Sequence, residues 1–456
     1  MKDCLNKLKS CTEKLPVNKI LMYVSVILFC IITVNNLINH VPWFDETQAW
    51  ILSKDMNIQN VISILKSEGH FIVWYLLIMP FAKLNLWYPL SMQIVNWLCF
   101  FLAILVMWTK APFNVFAKMI ITFSWVSLNY YSVVARCYSV GILGLFILAA
   151  LYKKQLEKPI LYSLLLVFTA HTSLAGTMAV IPLALIFMYN LIKDRKEILY
   201  QNIVIATSII CIGVILWVTP FINGYGHPEM LPPDIKIWES CISFFRANHY
   251  SLLIYYTVTL VILFISADAK IKFFLLMTTA QFFIFHSIIY PAYAHNAIFA
   301  FIYIIVAYWL IPEIHTFKEK PFVVTVFLLF FAALMFADLG NKMWYALNNI
   351  DKSDLVAYIN NRPNKDYIFM NWDFAEILPY LDSKYKYIYI SPEYDRNCIK
   401  KASCAKEEIK KQLKDVEGWN ACLVTSEKVD ENSVLFRWER KGNFPAEWYV
   451  TEFGKN

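Results

Sequence analysis

Asp45 and Glu46 stand side by side in Val41-Pro42-Trp43-Phe44-Asp45-Glu46-Thr47-Gln48-Ala49-Trp50, directly after the first long apolar run. A carboxylate there can take a proton from an attacking hydroxyl within hydrogen-bond reach, or help to hold a metal ion. Asp45 equally suits the N-cap of a helix, with Glu46 favoured electrostatically in its first turn. Glu68 and His70 flank Gly69, and the pair can contact a metal or position a phosphate, or simply solvate a turn. Arg136 lies in Tyr130-Tyr131-Ser132-Val133-Val134-Ala135-Arg136-Cys137-Tyr138, between two apolar segments. Its permanently charged, forked guanidinium suits a phosphate, although an Arg at the end of a membrane span can also snorkel to the surface. His171 and His295 sit at apolar-segment ends, as interfacial hydrogen-bonding groups or direct ligand contacts.

Several chemistries lack their residues. The chain holds no GxGxxG, no P-loop, no HExxH and no Ser/His/Asp arrangement, so a nucleotide-sugar donor or a zinc hydrolase has no motif behind it. A donor already carried on a lipid needs none of these.

The elements that must hold the candidate residues are set by composition. Of 456 residues, 59% are hydrophobic and 16% are charged, well under the share of about 25% usual in a soluble domain. Apolar runs of about 20 residues, the length of a bilayer span, recur to residue 340. The spans expected are 20–39, 91–109, 115–134, 138–153, 160–175, 177–192, 203–221, 249–267, 271–290, 296–311 and 321–340. The net charge of +7 is scattered at segment ends, which fits loop bias and not a nucleic-acid surface. Lys2, Lys7, Lys9, Lys14 and Lys19 precede the first run, which shows no small-x-small cleavage site and reads as an uncleaved span with its basic end inside.

Loop charge decides the status of 70–90. The basic loops are Lys110/Lys118, Lys153/Lys154/Lys158, Lys193/Arg195/Lys196, Lys270/Lys272 and Lys318/Lys320. If 70–90 crossed the bilayer, all of them would face outward, against the positive-inside rule. Pro80, Lys83 and Pro89 also make it a poor straight span. We therefore read 41–90 as one outer loop with interfacial or re-entrant helices. Its apolar residues Ala49, Trp50, Ile51, Leu52, Ile58, Val61, Ile62 and Leu65 suit an amphipathic helix lying in the interface. The fold expected is an all-α polytopic membrane domain (1–341) of about eleven spans, with the N-terminus cytoplasmic.

Residues 342–456 read as a small extracytoplasmic α/β domain. Strands are expected at Tyr367-Ile-Phe-Met, Tyr387-Ile-Tyr-Ile, Ala421-Cys-Leu-Val and Val434-Leu-Phe-Arg, with helices around 351–361, 373–381 and 405–415. Of ten cysteines, Cys398, Cys404 and Cys422 fall in this tail, where a Cys398–Cys404 disulfide would leave Cys422 over.

Three stretches, taken in order, resemble the membrane glycosyltransferases of the C-type (GT-C) fold, in the branch of the protein mannosyltransferases and aminoarabinose transferases. They are similar to a bacterial group with D-E-A-Q-A-W, then E-G-H-P-P-L-W-Y-L-L, then Y-x-V-x-A-R-x-Y. Here those read Asp45-Glu46-Thr47-Gln48-Ala49-Trp50, then Glu68-Gly69-His70-Phe71-Ile72-Val73-Trp74-Tyr75-Leu76-Leu77, then Tyr131-Ser132-Val133-Val134-Ala135-Arg136-Cys137-Tyr138. The resemblance spans most of 20–312. It implies inverting transfer of a sugar from a polyprenyl-phosphate carrier, outside the membrane, to an acceptor on a protein, lipid or cell-envelope glycan. On it, Asp45 serves the acceptor, with Glu46 as its motif partner. Arg136, His70, Glu68, Tyr138, His171 and His295 become candidates for holding the lipid phosphate or sugar. A divalent cation, with Asp45 among its ligands, is compatible with this but no ligand set compels it.

The chain departs from the group twice. The double proline is Phe71-Ile72, and the Arg of an outer Y-P-x-x-R-H is Ala294, in Tyr290-Pro291-Ala292-Tyr293-Ala294-His295. Two other classes stay open. A transporter or flippase of lipid-linked glycans would carry internal repeats and mid-span polar residues; here polar clusters gather at segment ends. A non-catalytic envelope scaffold of the same fold is left open by Ala294.

Overall fold

The computed structural model describes residues 17–42, 44–65, 70–195, 198–221, 257–261, 268–290, 294–310, 352–361, 367–370, 377, 379–381, 386–389, 420–425, 434–440 and 446–454. The chain divides into two compact units, Met1–His40 with Leu52–Ala346 and Val41–Ile51 with Leu347–Asn456.

The larger unit is helical and turned inside out by the standards of a soluble protein. In α1 (Val17–Ile38) the buried positions are Ser25, Phe29, Thr33 and Leu37, one every fourth residue. Tyr23, Val24, Ile27, Leu28, Ile31 and Val34 are exposed instead. An exposed apolar face of this extent is stable only against lipid or a partner. The Thr33 hydroxyl donates to Phe29 O and accepts from Trp97 Nε1 at 2.9 Å, so polar groups are satisfied inward. Among the described residues five helices are long and apolar enough to cross a membrane: Val17–Ile38, Leu90–Lys110, Leu174–Lys193, Tyr200–Phe221 and Ala269–Ile289. The protein is a membrane protein built from such helices.

The first loop contains only short pieces: α2 (Phe44–Asp55), α3 (Ile58–Ile64) and α4 (Ile72–Lys83). At 1.5 Å per residue, α4 is about 18 Å long against a hydrocarbon core of about 30 Å. The sequence pattern across 49–65 predicts one helix; the structure has two. Asn57 is the reason, because its side chain accepts from Asn60 N at 2.8 Å and caps α3. Nor is α2 one-sided: Ala49, Trp50, Ile51, Leu52 and Ser53 are all buried, so it is packed round its circumference there.

The segments expected as spans at 115–134, 138–153 and 160–175 form shorter or broken helices. The first is α6 (Val115–Thr122), an interruption at Phe123–Ser124, and a π-helix over Val126–Tyr131. Asn36 Nδ2 donates to Leu128 O at 3.0 Å, supporting that wider turn from α1. The others are α7 (Tyr138–Leu151) and α8 (Pro159–Ala170). Most of α7 is buried, and protein-lined helices need not match the bilayer thickness. Gly144 allows its close approach to α8, since a Cβ there would lie 2.3 Å from Thr169 Oγ1. Most of 249–267, all of 321–340, and the loop charges Lys196, Lys318 and Lys320 lie outside the described residues.

Helix ends fall into two groups. At one, Lys118 Nζ donates to Trp108 O, Phe113 packs on Tyr308 and Trp309, and Lys270 Nζ donates to Asn190 Oδ1 at 2.7 Å. At the other, Gln93 Nε2 donates to His40 O, and Tyr303 OH donates to Ala175 O. Phe299, near the start of α12 (Ala294–Leu310), lies against Tyr131 and Tyr138. The basic stretches at 110–118, 193–195 and 268–272 thus alternate along the chain with the turns that carry the candidate residues.

In the smaller unit, α13 (Ser353–Asn360) accompanies a five-stranded sheet ordered β2-β1-β3-β5-β4. The strands are β1 (Tyr367–Met370), β2 (Lys386–Tyr389), β3 (Asn420–Thr425), β4 (Val434–Arg440) and β5 (Ala446–Gly454). β1 pairs in parallel with β2 and β3, whereas β5 is antiparallel to both β3 and β4. β5 has no counterpart among the expected strands, although Trp448, Tyr449, Val450 and Thr451 are all strand formers. The expected helix at 405–415, most of 373–381, Cys398 and Cys404 lie outside the described residues.

Gly144→Val should overpack the α7–α8 contact and destabilise the chain by about 1–3 kcal/mol. Thermal unfolding in detergent checks this: a lowered midpoint, partly restored by adding Thr169→Ala, is the expected result.

Candidate functional site

The residues 132–137 form no helix, yet Ser132, Val133, Val134, Ala135, Arg136 and Cys137 are all buried. Irregular backbone of this kind survives in a membrane protein only when protein surrounds it. Here the structure supplies hydrogen bonds from several directions. Val134 N donates to Tyr130 O at 2.8 Å and Arg136 N to Val134 O at 2.9 Å. Asn96 Nδ2 and Ser139 Oγ both donate to Tyr131 O, at 3.0 and 2.6 Å. Arg136 therefore projects from a fixed frame.

Its side chain does not snorkel. Arg136 is 5% exposed, and Nη2 donates to His70 Nε2. A guanidinium has only donors, so Nε2 must be the acceptor, and a neutral His70 then carries its proton on Nδ1. Nδ1 faces Cys137 Sγ at 3.0 Å. The Tyr138 ring meets the imidazole edge-on with centroids 5.8 Å apart. Arg136, Cys137 and Tyr138 together fix both nitrogens and the plane of His70.

His70 reaches this place through its backbone. It forms a β-bridge with Ser173, while Phe71 N donates to Thr172 O and Val73 N to His171 O. The His171–Ser173 turn is rigid for local reasons: Thr172 Oγ1 donates to Thr169 O at 2.7 Å, and Ser173 Oγ caps α9 (Leu174–Lys193) by accepting from Gly176 N. Gly141 and Gly176 let two helices close on Thr172, because a Cβ at either would lie 2.9 Å from its hydroxyl. Phe71 packs on His171, Trp217 and Phe221. Its ring thus joins the end of α10 (Tyr200–Val218) to the His70 segment.

Of the residues singled out from the sequence, His70, Arg136, Tyr138 and His171 come together in the larger unit. His171 Nδ1 donates to Val167 O at 2.8 Å, leaving Nε2 as a buried acceptor with no hydrogen-bond partner among the described residues. The backbone of His295 lies in the first turn of α12, one turn before Phe299, which touches Tyr138. Glu68 lies outside the described residues. Asp45 and Glu46 belong to the smaller unit, in the first turn of α2, with Glu46 fully buried and Asp45 partly exposed. The helix starts at Phe44, so Asp45 lies inside its first turn and not at the capping position; both carboxylates favour the positive helix end there.

Sequence reasoning passed over Cys137, Thr172 and Ser173. Ser173 had a readable signal as a cap three residues before Gly176; Cys137 had none, since its role depends on a histidine 67 positions away. Among the described residues two π-helices, Val126–Tyr131 and Phe285–Ile289, precede the Arg136 and His295 segments, and such wide turns recur near functional sites. Among the described residues no group of three or more metal-ligating side chains is present. Searches against protein-family models, curated proteins and solved structures found no match for the chain.

The arrangement joins one permanent positive charge, a histidine that accepts from it and directs its own proton to Cys137 Sγ, and a nearby imidazole acceptor. If Arg136 and His70 act as a unit, their alanine variants should be non-additive. A double-mutant cycle on thermal stability is expected to return a coupling of about 0.5–3 kcal/mol; additive losses would separate the two residues.

Proposed function

We propose that this chain is a polytopic membrane glycosyltransferase of the GT-C type, moving a sugar from a polyprenyl-phosphate donor to an acceptor on the extracytoplasmic side. The observation that carries the reading is the buried Arg136 guanidinium, held beside His70 and Tyr138 at one end of a bundle of bilayer-length helices. A fixed cation at a helix-bundle end suits a phosphate whose lipid tail stays in the bilayer. About eleven spans, a cytoplasmic N-terminus and an outer C-terminal domain complete the reading, because the basic turns then share the cytoplasmic face.

In the reaction the acceptor hydroxyl attacks the anomeric carbon, a new glycosidic C–O bond forms, and the C–O bond to phosphate breaks. The electron pair leaves on polyprenyl phosphate, whose negative charge Arg136 neutralises, and the acceptor's proton passes to a carboxylate base, the role that the motif resemblance assigns to Asp45. Attack opposite the leaving group inverts the anomeric centre. The role of Asp45 rests on the motif resemblance, and that of Arg136 on its geometry as well. Glu46 supports Asp45, while His70 and Tyr138 hold the clamp. The His171 acceptor nitrogen suits a sugar hydroxyl, with Glu68 and His295 as further polar contacts. A divalent cation near Asp45 remains part of the proposal.

A second reading has one observation in its favour. Arg136 is 5% exposed and already bonded to His70, as in a scaffold where this hydrogen bond is purely structural.

Purified protein supplied with labelled polyprenyl-phosphate sugars and envelope acceptors separates the two. Asp45→Asn should lower turnover by about 10²–10⁴-fold, as for loss of a general base, and Arg136→Gln should weaken donor binding while folding persists. Equal turnover in Asp45→Asn would remove that residue from the mechanism. Donor binding unchanged in Arg136→Gln would favour the scaffold.

A further inference from the structure

The turn between α4 and α5 (Leu90–Lys110) points a large apolar side chain outward. In Leu84-Asn85-Leu86-Trp87-Tyr88-Pro89-Leu90, Trp87 is 80% exposed and Leu84 is 69% exposed. Both Asn85 and Trp87 adopt positive φ, 52° and 33°. Asparagine tolerates that region, whereas a bulky residue with a Cβ is disfavoured there. The turn therefore holds a tryptophan in a costly conformation and leaves its ring uncovered. No charged side chain interrupts the stretch. The neighbouring Lys83 is turned away from it, with Nζ donating to Lys54 O and Met56 O at 2.7 and 2.6 Å.

What covers the ring follows from the helix it leads into. Leu90, Ile94, Leu98 and Leu102 are exposed at four-residue spacing along α5, one of the helices long and apolar enough to cross a membrane. The opposite side of α5, with Met92, Asn96, Phe100 and Ala103, is buried. The exposed stripe is thus the lipid-facing side, and the turn continues it beyond the helix end. Asn96 marks the level of the Arg136 segment by donating to Tyr131 O. Leu90 is six residues earlier, about 9 Å further out along the helix axis. Tryptophan and tyrosine with an asparagine, just outside a lipid-facing stripe, match the headgroup boundary of a bilayer.

We propose that the 84–90 turn is a membrane-interface anchor, with Trp87 inserted into the lipid headgroup region of the bilayer that α5 crosses. The anchor fixes the depth of the Arg136 end of the bundle relative to that boundary. It does not depend on sugar transfer and survives if that reading fails.

The test uses the full chain in phosphatidylglycerol/phosphatidylethanolamine vesicles, spin-labelled at Trp87→Cys, at Leu84→Cys and, for reference, at Glu157→Cys in an exposed turn. Signals are corrected for labelling of the unsubstituted chain. Labels at 87 and 84 should collide more with oxygen than with a water-soluble nickel chelate, and the order should reverse at 157. Leu84, with ordinary φ, keeps the test open if Trp87→Cys alters the turn. Chelate access at 84 and 87 equal to that at 157 overturns the anchor. So does low access to both reagents, which marks burial against protein.

Discussion

A guanidinium cannot lose its charge, and placing one inside a helical membrane protein constrains everything around it. Arg136 makes this demand from a stretch of chain with no regular hydrogen bonding of its own. The structure answers with His70, brought in on an extended segment that bonds to the Thr172 and His171 carbonyls. That segment requires a rigid 171–173 turn, and the turn requires glycines at 141 and 176 to admit Thr172. The wide π-turn before Arg136 and the Ser173 cap border the segments that seat this charge.

The same constraint links fold to chemistry. The guanidinium offers only hydrogen-bond donors, and His70 already accepts one of them. The Phe71 ring packs between His171, Trp217 and Phe221 and braces the His70 segment by contact.

Much of this was readable beforehand, and the limits have physical causes. Loop charge grouped the turns that carry His70, Arg136 and His171, and the structure brings those residues together, while Pro80, Lys83 and Pro89 marked 70–90 as a poor straight span. Local capping at Asn57 divided a helix that hydrophobic spacing drew as one. The break within 115–131 was invisible because its compensation, Asn36 reaching Leu128 O, comes from 92 residues away. The tautomer-fixing contact of Cys137 is likewise tertiary. β5 was missed although its aromatic and β-branched residues carried the signal, since pairing with β3 and β4 decides whether such a stretch becomes a strand.

Photolabelling with a diazirine-bearing polyprenyl phosphate, followed by peptide mapping, tests the central claim most directly. The account predicts adducts on the 130–138 and 70–75 segments, abolished by excess polyprenyl phosphate and by Arg136→Gln. Labelling spread over the outer faces of the helices, unaffected by competitor, would contradict it.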